Sequence, residues 1–221
     1  MTDYLHNPIL ITGAERSGST FIARILDMCG VWSGNCNNMF ENEMITSLHS
    51  TFMKYEGSLF PPTRCLYVPM DWRNMVHKIL EDEDWHDGAW MVKSSLLAQY
   101  WPTWYYTYPD AKWVIVRRRT ADVVQSCLKT GYMKLFKNKC NLGQLKLTEE
   151  RDGWLWWIHQ YEKKFVEMIE EGLNCRVIWP DRMAEGDFSQ VKETVEWLGL
   201  EWNNKIPEVI LPLLEKSRRE E

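Results

Sequence analysis

Residues 9–12, Ile-Leu-Ile-Thr, form a short apolar run. It leads through Gly13-Ala14-Glu15-Arg16-Ser17-Gly18-Ser19-Thr20 straight into Phe21, Ile22, Ile25, Leu26 and Cys29, which recur with helical spacing. A buried strand, a loop with two glycines and an immediate helix restrict the chain to few folds. The strand needs cover on both faces, and the helix that follows returns over one of them. Three more apolar runs repeat the theme, at residues 90–92, 113–116 and 177–179. Helical periodicity fills the intervals. Val123, Val124, Cys127 and Leu128 follow the third run, and Trp154, Trp157, Ile158, Tyr161, Phe165, Met168 and Ile169 make the longest stripe. Phe188, Val191, Val195 and Leu198 make another, opened by Asp187 and stopped by Gly199. Alternating strands and helices predict an α/β fold, a three-layer sandwich around a central, mainly parallel sheet. Residues 31–87 and 134–147 fit this scheme poorly and read as excursions that carry specificity.

A length of 221 residues suits one domain over 1–221 with a core that needs neither disulfide nor metal. Hydrophobic residues at 45% and charged residues at 26% are ordinary for a globular chain, whereas 13 tryptophans are an outlier, most of them expected in the core and some as walls of a binding site. A net charge of -5 argues against a general nucleic-acid partner but leaves room for a local cationic pocket. The six cysteines (Cys29, Cys36, Cys65, Cys127, Cys140 and Cys175) form no CxxC pair and read as reduced thiols. No run reaches the length of a membrane span, and residues 1–8 lack a basic-then-apolar signal, so a cytoplasmic protein with no membrane partner is expected. Nothing here bears on oligomeric state.

The spacing of Gly13 and Gly18, followed by two hydroxyl residues, nearly matches the phosphate-binding pattern G-x-x-x-x-G-K-[ST]. Such loops turn backbone N–H groups toward an anion, and the helix start adds a positive dipole. The departure is informative. Ser19 stands where the lysine belongs, and a cation occurs three residues earlier at Arg16. A triphosphate would lose the charge that follows its outer phosphates. A sulfuryl group carries less charge and bridges no Mg²⁺, so one cation inside the loop can serve it.

Arg117, Arg118 and Arg119 leave the third apolar run at the edge where open parallel sheets bind ligands. An arginine there and Ser126 in the next helix can converge on one phosphate. Alone, the cluster reads equally as a solvated turn. With the glycine loop, it favours a ligand with two separated anionic ends.

Arg16-Ser17-Gly18-Ser19-Thr20-Phe21 resembles the 5'-phosphosulfate loop of the sulfotransferases that use 3'-phosphoadenosine 5'-phosphosulfate (PAPS). Tyr108-Pro109-Asp110-Ala111-Lys112 through Arg118, Asp122 and Ser126 resembles their second signature, and Met91-Val92-Lys93-Ser94 their short strand ending in lysine. A weaker likeness covers residues 176–202, with its Leu-Gly-Leu ending. The resemblance implies the P-loop-like sulfotransferase architecture and transfer of a sulfuryl group from PAPS to an acceptor hydroxyl or amine, releasing PAP, with no metal. It implies Arg16 on the bridging and sulfuryl oxygens and Ser17, Gly18, Ser19 and Thr20 around the 5'-phosphate. Phe21 falls against adenine, and Arg118 and Ser126 fall on the 3'-phosphate. Two positions depart from the pattern. No proline lies between Arg118 and Asp122, and Ser95 replaces the histidine base of the small-molecule enzymes.

With Ser95 unable to act as base, a carboxylate is needed. Residues 39–44, Met-Phe-Glu-Asn-Glu-Met, resemble the Phe-Glu segment of many bacterial members, which favours Glu41 over Glu43, with His49 and His159 as further candidates. Lys93 reads as the electrophilic helper for the departing bisphosphate. Two rivals stand beside this reading. One is a P-loop nucleotide or small-molecule kinase, with Asp181 as its metal-side carboxylate; the other is a non-catalytic PAP-binding adaptor. The acceptor is expected to be a small molecule or carbohydrate. Trp32, Trp101, Trp104, Tyr105 and Tyr106 are the rings available to stack on it.

Overall fold

The computed structural model describes residues 7–55 and 69–220. Cys65, the first six residues and residues 56–68 of the first excursion lie outside that description. The four apolar runs form β1 (Ile9–Gly13), β2 (Met91–Lys93), β3 (Lys112–Val116) and β4 (Cys175–Ile178). They make one sheet in the order β2-β1-β3-β4, every neighbouring pair parallel. In-register pairs run from Ile9 opposite Lys112 to Gly13 opposite Val116.

The helices are α1 (Ser19–Met28), α2 (Glu43–Tyr55), α3 (Trp72–Asp82), α4 (Trp101–Thr107), α5 (Thr120–Thr130), α6 (Lys139–Gln144), α7 (Glu150–Glu170), α8 (Ser189–Leu198) and α9 (Ile206–Glu220). Because strand side chains alternate between faces, each apolar run serves two cores. Leu10, Val92, Trp113 and Ile115 pack with residues of α3, α4, α5 and α7. Ile9, Ile11, Met91, Val114 and Val116 pack with α1, α8 and α9. This is the three-layer α/β sandwich that the alternation of elements predicts.

The stripe on α7 buries Trp154, Trp157, Ile158, Tyr161, Phe165 and Met168, while Ile169 turns outward at 46% exposure. The second excursion is helical: a tight turn over Tyr132–Lys137 followed by α6. No described helix is long and apolar enough to cross a membrane. Among the described residues Cys29, Cys36, Cys140 and Cys175 are free thiols.

The chain leaves β1 toward β2 on one side and leaves β3 toward β4 on the other. The switch in direction falls between β1 and β3, and open parallel sheets carry their crevice there, beyond the C-terminal strand ends.

Candidate active site

Gly13 ends β1 under the backbone of β3. A Cβ at that position would come within 2.5 Å of both Ser17 Oγ and the Val116 carbonyl, so only glycine lets the loop fold back there. The Ser17 N–H donates to the Ala14 carbonyl at 3.1 Å, Arg16 sits at φ 65° and Gly18 at φ 92°. Gly18 precedes α1 with no side-chain cap and no acidic residue in the first turn. That helix start therefore offers backbone donors and the positive end of its dipole. Beside it opens a cleft of about 300 Å³.

Arg16, Ser17, Gly18, Ser19, Thr20, Phe21, Glu41, Lys93 and Arg118 all line this cleft. Ser126 stands just behind. It is 2% exposed on α5, and its Oγ accepts a hydrogen bond from Arg16 Nε at 2.8 Å. Arg118 donates through Nη1 to the Arg16 carbonyl at 3.3 Å, and its Nε lies 3.4 Å from Asp181 Oδ1. The guanidinium of Arg16, expected at the sulfuryl end, thus meets Ser126, expected at the 3'-phosphate end. The three arginines divide: Arg117 pairs with Glu162 and stacks 4.9 Å from the Trp179 ring, and Arg119 caps α5 in solvent.

Lys93, the last residue of β2, is 7% exposed, and its Nζ donates to Glu41 Oε1 at 2.9 Å. The Glu41 loop is tied down from several sides. Asn37 Oδ1 accepts from the Met39 and Glu41 N–H groups at 2.8 and 3.2 Å. Asn42 caps α2 through the Ile45 N–H at 2.9 Å, and its amide donates to Glu83 Oε2 at 2.8 Å. Thr20 Oγ1 donates to the Met39 carbonyl at 3.3 Å, joining this loop to α1.

The other acid–base candidates lie elsewhere. Glu43 is exposed at the start of α2 and His159 is exposed on α7; neither lines the cleft. His49 is fully buried, stacks 5.3 Å from Tyr100, and accepts from Trp104 Nε1 at 3.0 Å. Burial pushes its imidazole down to about 3, so it stays neutral. The five rings offered for acceptor stacking do not line the cleft either. Trp104 is fully buried, Trp32, Trp101 and Tyr105 pack on the core, and Tyr106 faces solvent.

Several lining residues were not singled out from sequence: Glu15, Asn38, Met39, Pro180, and Leu214 and Ser217 of α9. Pro180 packs against Gly18, where a Cβ would meet its Cγ at 3.1 Å. Among the described residues no group of three or more His, Cys, Asp or Glu side chains is arranged to hold a metal.

Fold and cleft together define an α/β protein with a glycine loop at the switch point of a parallel sheet and a lysine–glutamate pair beside it. The sulfotransferase family profile matches residues 8–204, and the chain belongs to that family. Among solved structures, sulfotransferase STF9 from Mycobacterium avium is similar over 95% of this chain and 68% of its own, with a TM-score of 0.54 and 11% identity. Sulfotransferase STF1 from Mycobacterium tuberculosis aligns over 92% and 70% with a TM-score of 0.46 and 15% identity. At such identities the likeness to STF9 speaks for the fold. No curated protein matches by sequence.

Proposed function

We propose that the chain transfers a sulfuryl group from PAPS to an acceptor hydroxyl or amine. The observation that carries this reading is the contact of Arg16 Nε with Ser126 Oγ at 2.8 Å, which joins the glycine loop to α5, the helix that follows β3. A loop for a 5'-phosphosulfate and an arginine–serine grip for a 3'-phosphate then belong to one site. The residues fit such a ligand. Ser17 Oγ is buried, lines the cleft and has no hydrogen-bond partner among the described residues, the state of a hydroxyl reserved for a ligand oxygen. Asp181, the carboxylate a kinase would offer to Mg²⁺, is instead engaged with Arg118.

PAPS supplies the transferable sulfuryl group when bound. Ser17, Gly18, Ser19 and Thr20 hold its 5'-phosphate side through backbone N–H groups and hydroxyls, with Phe21 against the base. Arg118 and Ser126 hold the 3'-phosphate, and Arg16 spans the two ends. Glu41 accepts the acceptor proton. In the resting pair its carboxylate neutralises Lys93. Once Glu41 is protonated, the Lys93 charge is no longer matched and can offset the negative charge building on the leaving phosphate.

The test is transfer from radiolabelled PAPS across carbohydrates, phenols, amines and peptides, with and without EDTA, alongside calorimetry with PAP. Micromolar PAP binding and EDTA-insensitive transfer are expected. A strict Mg²⁺ requirement with ATP as donor overturns the reading in favour of a kinase. PAP binding with no turnover on any acceptor favours an adaptor.

A further inference from the structure

Glu15 places a carboxylate inside a loop built to grip anions, a position where charge alone is unfavourable. It lines the cleft, yet both of its oxygens are taken by α7: Trp157 Nε1 donates to Oε2 at 2.6 Å and Tyr161 OH donates to Oε1 at 3.0 Å. Gln99, 2% exposed, donates in turn to the Tyr161 oxygen at 3.3 Å. Both ring donors are buried. Trp157 lies against Phe136 and Tyr161 at 6.1 and 6.0 Å between ring centres, so the donors have little freedom to follow a moving loop. The next residue, Arg16, holds φ 65°, a left-handed conformation that a non-glycine side chain keeps only when its surroundings impose it.

We propose that Glu15 is a positioning residue: clamped by Trp157 and Tyr161, it latches the glycine loop to α7 in the conformation that binds the nucleotide. This rests on the PAPS reading for the identity of the ligand, although the latch itself is a property of the free protein. The partners suit a permanent anchor. Burial, and after it the negative charge of Glu15, raises the Tyr161 phenol well above its ordinary range, so its hydroxyl stays a donor at every working pH. Charge-assisted bonds of this type are roughly twice as strong as neutral ones. Turning the carboxylate toward α7 also spends its negative charge on donors rather than on the incoming anion. A loop that spends less time latched binds more weakly in proportion to the lost population.

Latch and bare cleft charge make opposite predictions. Glu15→Gln removes a negative charge from an anion site, so a charge effect tightens PAP, whereas loss of the latch weakens it. Tyr161→Phe keeps the ring and the Glu15 charge and removes the hydroxyl that donates to Glu15 and accepts from Gln99, so it tests the latch independently of Glu15→Gln. Calorimetry with PAP, PAPS kinetics and amide exchange of the ligand-free loop are measured on the wild type, on both single variants and on the double variant. We expect each single variant to raise the PAP Kd and the PAPS KM about tenfold, leave the acceptor KM unchanged and speed exchange at residues 14–20 but not in α8. The double variant should lose no more than the worse single one, as expected for one device. Unchanged or tighter PAP binding by Glu15→Gln, or unaltered loop exchange in both single variants, overturns the latch. A wild type that binds no PAP overturns the PAPS reading instead, and loop exchange then decides the latch alone.

Discussion

Arg16 and Ser126 are 110 positions apart in the chain, and Arg16 Nε donates to Ser126 Oγ at 2.8 Å. The side chain of a loop arginine therefore ties the glycine loop to α5. Arg16→Ala should cost both steps. Turnover is expected to fall on the order of 100- to 1000-fold, the usual loss of a preorganised charge contact, and PAP affinity about tenfold. In a cycle with Ser126→Ala the PAP losses should be non-additive by about 1 kcal/mol. Strict additivity would mean that the contact is absent when nucleotide is bound.

The pairing of Arg118 with Asp181 at 3.4 Å leads to a second expectation. Arg118→Ala should weaken PAP about ten- to a hundred-fold while barely changing 5'-AMP, which lacks the 3'-phosphate. Asp181→Asn removes the competing carboxylate and should tighten PAP. Calorimetric titration of both nucleotides into the three proteins reads this directly. Equal losses for PAP and AMP in Arg118→Ala would reduce Arg118 to a structural role.

Glu41 and Lys93 form one largely buried pair. Glu41→Gln should remove most turnover and leave PAP binding near the wild type, because a base acts on the acceptor. Lys93→Met should lower turnover as well, and the double variant should lose less than the two single losses combined. Initial rates at saturating PAPS decide the matter. Full activity in Glu41→Gln would place the base elsewhere. The buried ring of His49 and the exposed ring of His159 make neither a simple replacement.

How far the sequence could be read depended on how local each signal was. Leu10 and Ile11, like Trp113 and Val114, face opposite cores, so short apolar runs gave themselves away as strands with two covered faces. The strand order did not, because no residue in β2 or β4 marks which neighbour it takes. In the site, Gly13 to Phe21 was legible since glycines, hydroxyls and a helix start act over a few residues. The reach of Arg16 to Ser126, and of Glu15 to Trp157 and Tyr161, depends on side-chain directions between distant segments. Trp104 shows the opposite error. A ring suited to stacking on an acceptor is buried, with its N–H committed to His49. The bulk of an indole decided its place before its recognition chemistry did.

Gly13 and Gly143 offer a matched pair for testing the loop. At Gly13 a Cβ would meet the Val116 carbonyl at 2.5 Å, a backbone atom that cannot yield; at Gly143, within α6, it would meet nothing within 4 Å. Gly13→Ala should destabilise the fold by about 1–3 kcal/mol through overpacking and abolish tight PAP binding. Gly143→Ala should stabilise it by up to about 1 kcal/mol, since alanine favours a helix interior. Urea denaturation of both variants, with PAP calorimetry, makes the comparison. A Gly13→Ala variant with normal PAP affinity would show that the loop can bind its ligand in another shape.

His49 gives the chain a built-in acid sensitivity. Its ring is fully buried between Trp72 and Tyr100, 5.5 and 5.3 Å from their centres, and its Nε2 accepts from Trp104. Burial holds its pKa near 3 in the folded chain, against an ordinary value of 6.5. Between those values the unfolded chain binds a proton that the folded chain refuses. Stability from this group is therefore fully present above pH 6.5 and falls as the pH drops toward 3. Each pH unit is worth about 1.4 kcal/mol at most, so lowering the pH from 7.5 to 5.0 should cost about 2 kcal/mol through this residue alone. His49→Gln keeps an acceptor for the Trp104 N–H and removes the titration. It should be less stable than the wild type at pH 7.5, because the stacked ring is lost, yet lose about 2 kcal/mol less on acidification. Urea midpoints and slopes at both pH values, for both proteins, supply the four stabilities. Equal acid losses would mean that His49 reaches water and protonates within the folded chain.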